Sequence, residues 1–342
     1  MSHPFDPSLF LAFLFDPFPY KYTTLSLSIF DIMTLYERLP LSRDGKRGRF
    51  PKRPTVKQLN TKYCLLKAKE IPSWYSDNSF VRIGYRPVYG SVKKCFNSWR
   101  FVHNETVNIY SHLIPAAIAL ASNGFLHLYF RDRYPNASLV DQLAFHVYLT
   151  TSVICFGISS LYHTLLCHSE AYSGLWVRFD YVAILIQTVG SFISGIYVSF
   201  YCEPGLQKIY WTMIGVLGSL STFIVLNPRF QSGRWRTLRL STFVATAVSG
   251  LLPVIHATYV IPYDHLTQQT GFGYYLLEGL ALIAGVFFYA THFPEYWIPE
   301  KFDIWGASHQ IFHLFVVLSA AIHLWTLFSV FDWNYNNPQC SV

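Results

Sequence analysis

Two histidines one helical turn apart open the last apolar stretch of this 342-residue chain. His309 and His313 lie at positions i and i+4 of a segment that continues through mostly apolar residues to Val330. Residues four apart lie on the same face of a helix, so both imidazoles can bind one ion. Histidine pairs on apolar helices also pack against backbone groups or hydroxyls of neighbouring helices. The pair alone does not decide between these roles.

A second pair of the same spacing and a lone carboxylate favour the metal interpretation. Ser159 and His163 lie four residues apart near the end of another apolar stretch, and Asp180 lies near the start of the next one. Two alternatives stay open. Ser159 can be a small residue at a helix interface, and Asp180 can pair with Arg178 or Lys301 instead.

The composition places these residues in a membrane. The chain is 52% hydrophobic, 18% aromatic and 13% charged, which is too apolar for an ordinary soluble domain. Its net charge of +7 comes mainly from clusters next to apolar stretches, which is typical of juxtamembrane segments. No nucleic-acid partner is therefore expected. Six cysteines without a CxxC spacing do not form a disulfide-rich scaffold or a zinc ribbon.

Seven apolar stretches meet the length needed to cross a bilayer, about 20 mostly apolar residues. They predict an all-α membrane protein, a seven-transmembrane helix bundle with short connections. The predicted spans are Ile109–Phe130, Val140–Leu166, Leu175–Phe200, Ile209–Leu226, Leu238–Ile261, Tyr274–Phe293 and His309–Val330.

Four regions are expected along the chain. Residues 1–70 are predicted to be a cytosolic, largely disordered region, and residues 71–108 an interfacial lead-in that mixes aromatic and basic side chains. Residues 109–330 form the transmembrane domain, and residues 331–342 a short extracytosolic tail. No role is assigned to residues 1–32, which lack the basic start and cleavage site of a signal peptide.

The charge distribution sets the expected orientation. Basic residues before the first span and in the loop after the fourth outnumber those on the opposite side, so the amino terminus is predicted to be cytosolic and the carboxyl terminus extracytosolic. Asn136 would then be an outward-facing glycosylation site, and its modification in cells tests the orientation. Cys202 and Cys340 would also face outwards. We expect a disulfide between them, which a mobility shift on reduction would reveal.

This orientation brings the polar residues to one membrane depth, because the second span ends where the third and seventh begin. Ionisable groups in lipid are costly and mark functional sites. Three neutral imidazoles with an open fourth position are the ligand set of a catalytic zinc. We therefore predict Zn²⁺ bound by His163, His309 and His313, with Asp180 orienting or deprotonating a water and Ser159 as its hydrogen-bonding neighbour.

Several blocks of the sequence resemble the progestin and adipoQ receptor family, which includes the adiponectin receptors and the haemolysin-III-like proteins. The resemblance extends from about Ile71 to Val330. Within the family, the sequence resembles the fungal and plant members. The blocks are highly specific when they are taken together. The blocks are His103–Leu113, Ser159–His163, Asp180 and Ser308–His313.

The resemblance implies seven helices with a cytosolic amino terminus and a zinc ion held by the same three histidines. It also implies the ceramidase activity attributed to some adiponectin receptors. In that reaction Asp180 would be the general base for hydrolysis of a ceramide-like amide, and Ser159 would stabilise the oxyanion. Glu105 and Asn108 would brace the first helix against the site.

Two functions from different classes follow. The first is a zinc-dependent lipid amidase, and the second is a receptor or a sensor of zinc or sterol homeostasis with a structural zinc. The expected partners are membrane lipids, a ceramide-like substrate or sterol, and an extracytosolic protein ligand. A zinc or ion transporter is a weaker third hypothesis, since no ladder of polar sites crosses the bilayer. The chain is expected in the plasma membrane or the endoplasmic reticulum.

Overall fold

Seven long apolar helices dominate the computed structural model, which describes residues 65–76, 78–230 and 233–337. Within the described residues, these seven helices confirm the predicted seven-helix membrane bundle. Most of the region predicted to be disordered, and Cys340, lie outside the described residues, whereas Cys202 is disulfide-bonded. The first to seventh spans are Thr106–Arg133, Leu139–Leu165, Glu170–Ser199, Pro204–Leu226, Thr237–Val260, Phe272–Thr291 and Ser308–Asn336.

Local sequence explains where the second span begins and why the fifth is interrupted. The Asp141 N–H donates to the Ser138 hydroxyl at 3.2 Å, and the Asp141 carboxylate accepts the Ser138 N–H at 2.6 Å, which is a capping box. The fifth span, predicted as one helix, consists of two segments, Arg236–Val248 and Leu251–Val260. Pro253 explains the break, because it lacks an N–H and its ring clashes with the carbonyl four residues earlier.

The second, third and seventh spans form the centre of the bundle. The second packs along the first and the third, while the seventh contacts the sixth, the first and the third. The sixth span lies at the periphery, and only 11% of its most apolar 18-residue stretch is buried inside the bundle. Such an exposed apolar helix is the surface expected to face lipid. This packing places the end of the second span beside the beginnings of the third and the seventh.

An ordered segment precedes the first span and packs on this end of the bundle. We call it the cover segment; it comprises residues 65–76 and 78–105. Its strand Leu66–Lys67 pairs antiparallel with Ile83–Tyr85, and a short helix, Val92–Asn97, follows. The Asp303 carboxylate, in the loop before the seventh span, accepts the backbone N–H groups of Arg82 and Ile83 at 2.7 and 2.9 Å. These bonds tie the cover segment to the loop that leads into the histidine pair.

Glu295 makes a second tie between this loop, the seventh span and the cover segment. Its buried carboxylate accepts hydrogen bonds from the Ser308 N–H at 2.8 Å, the Ser308 hydroxyl and the Asn78 side-chain amide at 3.0 Å. In Glu295→Ala these donors lose their partner, so we expect the free energy of unfolding to fall by about 1–3 kcal/mol. Thermal unfolding in detergent measures the change, with the exposed Glu203→Ala as the control. Equal melting temperatures for the two variants would contradict the anchoring role.

Candidate metal centre

Three histidines from two helices bring their ring nitrogens to one small volume. His163 lies in the last turn of the second span, and His309 and His313 lie one turn apart at the start of the seventh. One ring nitrogen of each lies within 4.8 Å of the other two. His163 and His313 are buried, and His309 is half-buried. The structure thus brings together the three residues that the sequence predicted as metal ligands.

Contacts at the Nδ1 atoms leave the Nε2 atoms of two rings available. The Glu105 carboxylate lies 2.7 Å from His163 Nδ1, and the Ser111 hydroxyl lies 3.1 Å from His313 Nδ1. Such contacts fix the tautomer and the orientation of metal-binding imidazoles. His163 Nε2 is buried and, within the described residues, has no hydrogen-bond partner. A buried polar atom without a partner costs free energy, which a bound metal ion would offset.

The donor set fits Zn²⁺. Imidazole nitrogens bind zinc at about 2.0–2.1 Å, so a bound ion would draw together nitrogens that now lie within 4.8 Å of one another. Neutral imidazoles suit zinc, whereas softer ions prefer thiolates and harder ions prefer carboxylates. Three protein ligands leave a fourth position open, which is typical of catalytic rather than structural zinc sites.

Glu105 is the carboxylate that orients His163, a role that the sequence analysis did not assign to it. Asn108 Nδ2 donates to the same carboxylate oxygen at 2.7 Å. Burial disfavours the charged form, but the hydrogen bonds from His163 and Asn108 and the Arg86 charge outweigh it and lower the pKa of Glu105 to about 2. Its position directly before the first span, among polar residues near the membrane surface, was the only signal available in the sequence.

Arg86 of the cover segment fixes the backbone that carries His163. Its buried guanidinium donates to the carbonyl oxygens of His163 and Thr164 at 2.6 and 3.0 Å, and to the Ser98 hydroxyl at 2.9 Å. A cation at a helix carboxyl terminus satisfies carbonyls without helical partners and complements the helix dipole. The last turn of the second span is therefore held from outside the membrane-spanning helices.

Ser159 and Asp180 lie next to each other beside the histidine cluster. Ser159 is buried one turn before His163, and Asp180 is half-buried on the third span. The carboxylate interacts with the Ser159 hydroxyl and lies within electrostatic range of His163. Arg178, an alternative partner of Asp180, donates to the Gly174 carbonyl instead at 2.9 Å. Among the described residues, Asp180 forms no ion pair.

His112 adds a fourth imidazole whose contact the sequence spacing did not predict. Its ring stacks on His313 with centroids 3.8 Å apart and planes 2° apart. Both of its ring nitrogens are buried, and neither has a partner among the described residues. Other intramembrane histidines have partners away from the site, since His323 lies 2.9 Å from Glu278 and His256 lies 2.7 Å from the Tyr210 hydroxyl.

Comparison with known proteins gives consistent matches over the membrane domain. The haemolysin-III-related family profile matches residues 101–324. The adiponectin receptor protein of Drosophila melanogaster is 35% identical over 276 residues, which are 80% of this chain and 61% of that protein. The progestin and adipoQ receptor-like protein 1 of Caenorhabditis elegans is 34% identical over 288 residues, 84% of this chain and 65% of that protein. The chain thus spans less than two thirds of the length of these two relatives.

A fungal relative is matched over more of its own length. The ADIPOR-like receptor IZH1 of Eremothecium gossypii is 35% identical over 259 residues, which are 74% of this chain and 80% of that protein.

Proposed function

The chain belongs to the haemolysin-III-related family of multi-pass membrane proteins, and on that premise we propose that it is a zinc-dependent hydrolase that cleaves the amide bond of ceramide-like lipids within the membrane. The observation that carries the proposal is the three-histidine cluster with a buried, unpartnered His163 Nε2 beside a half-buried carboxylate, Asp180. This combination offers metal ligands, an open position and a proton acceptor in one place.

The metal would supply one part of the chemistry. A zinc ion held by His163, His309 and His313 polarises a carbonyl group and lowers the pKa of a water toward about 7. Glu105 and Ser111 keep two of these rings in the orientation that the ion requires.

The chain's own residues would carry the proton transfers. Asp180 accepts a proton from the attacking water, whose oxygen bonds to the amide carbon. The C–N bond then breaks, and Asp180 returns the proton to the leaving nitrogen, so the products are a fatty acid and a sphingoid base. The Ser159 hydroxyl contacts the Asp180 carboxylate. Once Asp180 has taken up the proton, this hydroxyl can turn and donate a hydrogen bond to the former carbonyl oxygen, which stabilises its negative charge.

A lipid substrate suits the surroundings of this site. An apolar cavity of about 550 Å³ lies between the second, third and fourth spans, lined by residues that include Thr151, Leu185, Val189 and Gly218. Leu185 follows Asp180 by five residues on the third span, about 7.5 Å further along the helix axis. An acyl chain held there would pass Leu185, about one and a half helical turns from Asp180 along the third span.

Fatty-acid release from ceramides tests the proposed reaction. The zinc-loaded protein in lipid nanodiscs is incubated with ceramides of several acyl-chain lengths, and both products are quantified by mass spectrometry. We expect fatty acid and sphingoid base in equal amounts. Absence of both products for every chain length, in folded protein with one zinc per chain, would rule out this reaction.

A receptor or homeostasis sensor is the second candidate, and it is favoured by the similarity to an adiponectin receptor protein and an ADIPOR-like receptor. In that case zinc would hold the second and seventh spans together, and a sterol or an extracytosolic protein ligand would change their packing. In both candidates the amino terminus faces the cytosol. The protein itself would lie in the plasma membrane or the endoplasmic reticulum. They differ in their demand on Asp180, which only the hydrolase needs for turnover.

Replacement of Glu105 is expected to weaken zinc binding. Loss of a carboxylate that hydrogen-bonds a metal-binding histidine commonly costs about 10- to 100-fold in affinity. We expect a loss in this range for Glu105→Ala and a smaller loss for Glu105→Gln, because a glutamine oxygen can still accept the His163 Nδ1–H. Competition with a zinc chelator of known affinity measures both variants. Unchanged affinity in Glu105→Ala would show that the contact does not support the ligand.

A further inference from the structure

Two free thiols face each other where the cover segment meets the end of the second span. Cys95, in the helix Val92–Asn97, and Cys167, in the turn after the second span, are both fully buried, and their sulfur atoms are 3.5 Å apart. Two backbone hydrogen bonds hold this turn against the cover segment, from Tyr89 N–H to the Cys167 carbonyl and from Gly90 N–H to the His168 carbonyl, each 2.9 Å. The pair lies outside the histidine cluster and plays no part in the proposed hydrolysis.

The surroundings make the two thiols chemically unequal. The hydrogen bond between the two thiols, together with the Arg86 charge, lowers the pKa of the Cys167 thiol to about 7 despite its burial. The same hydrogen bond, together with burial, raises the pKa of Cys95. Because the thiolate is the reactive form of cysteine, Cys167 is suited to attack an oxidant and Cys95 to resolve the product.

We propose that Cys95 and Cys167 form a reversible redox site that a small peroxide converts into a disulfide. Cys167 Sγ attacks one oxygen of hydrogen peroxide, which gives a sulfenic acid and hydroxide. Cys95 Sγ then attacks Cys167 Sγ, the S–S bond forms, and the sulfenic hydroxyl leaves and takes up a proton as water. The thiol protons end in the two water molecules, so two thiols and one peroxide yield one disulfide and two waters. A dithiol reductant reverses the reaction by exchange.

The geometry supports this reaction with little rearrangement. The two sulfur atoms must approach from 3.5 Å to about 2.05 Å, the length of a disulfide bond. Tyr75, Leu165 and Leu166 form a buried apolar cluster around the pair, which admits a small oxidant more readily than a bulky reagent. The disulfide would join the cover segment covalently to the turn that follows the second span, beside the carbonyl groups that Arg86 holds.

Peptide mapping of the full-length protein in lipid nanodiscs tests the redox site. The reduced protein is treated with hydrogen peroxide, alkylated under denaturing conditions and digested. We expect a linked peptide pair that contains Cys95 and Cys167, and we expect dithiothreitol to release both thiols again. Cys155→Ser, which replaces a buried thiol elsewhere in the second span, should form the same link, and Cys95→Ser should not.

Two outcomes would overturn the inference, and both can be read in the wild-type protein. In one, both cysteines stay as free thiols during peroxide treatment, so both are recovered in alkylated form. In the other, Cys167 is oxidised to a sulfinic acid without a link to Cys95. Neither outcome depends on zinc or on lipid hydrolysis, so failure here is distinct from failure of the proposed function.

Discussion

Asp180→Asn is expected to lower the turnover of ceramide by about 10²- to 10⁴-fold while zinc stays bound, because this is the usual contribution of a positioned general base. Asparagine keeps the size of the side chain and can still interact with Ser159, but it cannot accept the proton of the attacking water. Asp180 does not belong to the histidine cluster that would hold the ion, so metal content should not change. Steady-state product release and zinc content per chain measure the two effects separately.

Glu278→Gln is the matched control for this variant. Glu278 is also a carboxylate within a membrane span, but it contacts His323 rather than the metal-site histidines. We expect Glu278→Gln to retain turnover close to that of the wild type. If Asp180→Asn retains turnover as well, the proton acceptor is another group. If Asp180→Asn loses zinc, the carboxylate supports the metal site rather than the reaction.

His313→Ala is expected to abolish stable zinc binding, the second large effect. The substitution removes one of the three ring nitrogens available to the ion and also the Nδ1 that contacts Ser111. An ion that binds only the native state stabilises it by about 2.7 kcal/mol at 100 times its dissociation constant. We therefore expect wild-type protein to melt at a higher temperature when zinc is added and His313→Ala to show no such rise. Zinc content per chain should fall in parallel.

His127→Ala serves as the control for histidine loss. His127 is exposed near the opposite end of the first span, and its Nδ1 contacts Gln142. This variant should keep one zinc per chain and the zinc-dependent rise in melting temperature. One tightly held zinc in both His313→Ala and His309→Ala would place the ion somewhere other than the histidine cluster.

The spans and the histidine cluster were predictable because their signals are local. Runs of apolar residues identify helices of membrane length, and the four-residue spacing of His309 and His313 places both on one helix face. The alternation of spans across the membrane brings His163 to the same end. The extent of the fifth span, predicted as Leu238–Ile261, is confirmed by Thr237–Val260, but its division into two segments near Pro253 was not predicted.

The contacts that orient the cluster were not predictable, because they depend on the path of irregular chain. Glu105 reaches His163 and Arg86 reaches its carbonyl only because the cover segment folds back over the end of the second span. The stacking of His112 on His313 likewise depends on how two helices separated by most of the chain rotate against each other. Cys95 and Cys167 are 72 positions apart, and nothing in the intervening sequence indicates that the thiols meet.

The rate of fatty-acid release as a function of bound zinc shows whether the protein is an intramembrane zinc hydrolase. The protein is stripped with a chelator in nanodiscs, reloaded in steps to one zinc per chain, and assayed with ceramide at each step. We expect no release without metal and a rate that rises in proportion to occupancy up to one zinc. Release that is equally fast in the stripped protein, or no release at full occupancy, would contradict an intramembrane zinc hydrolase.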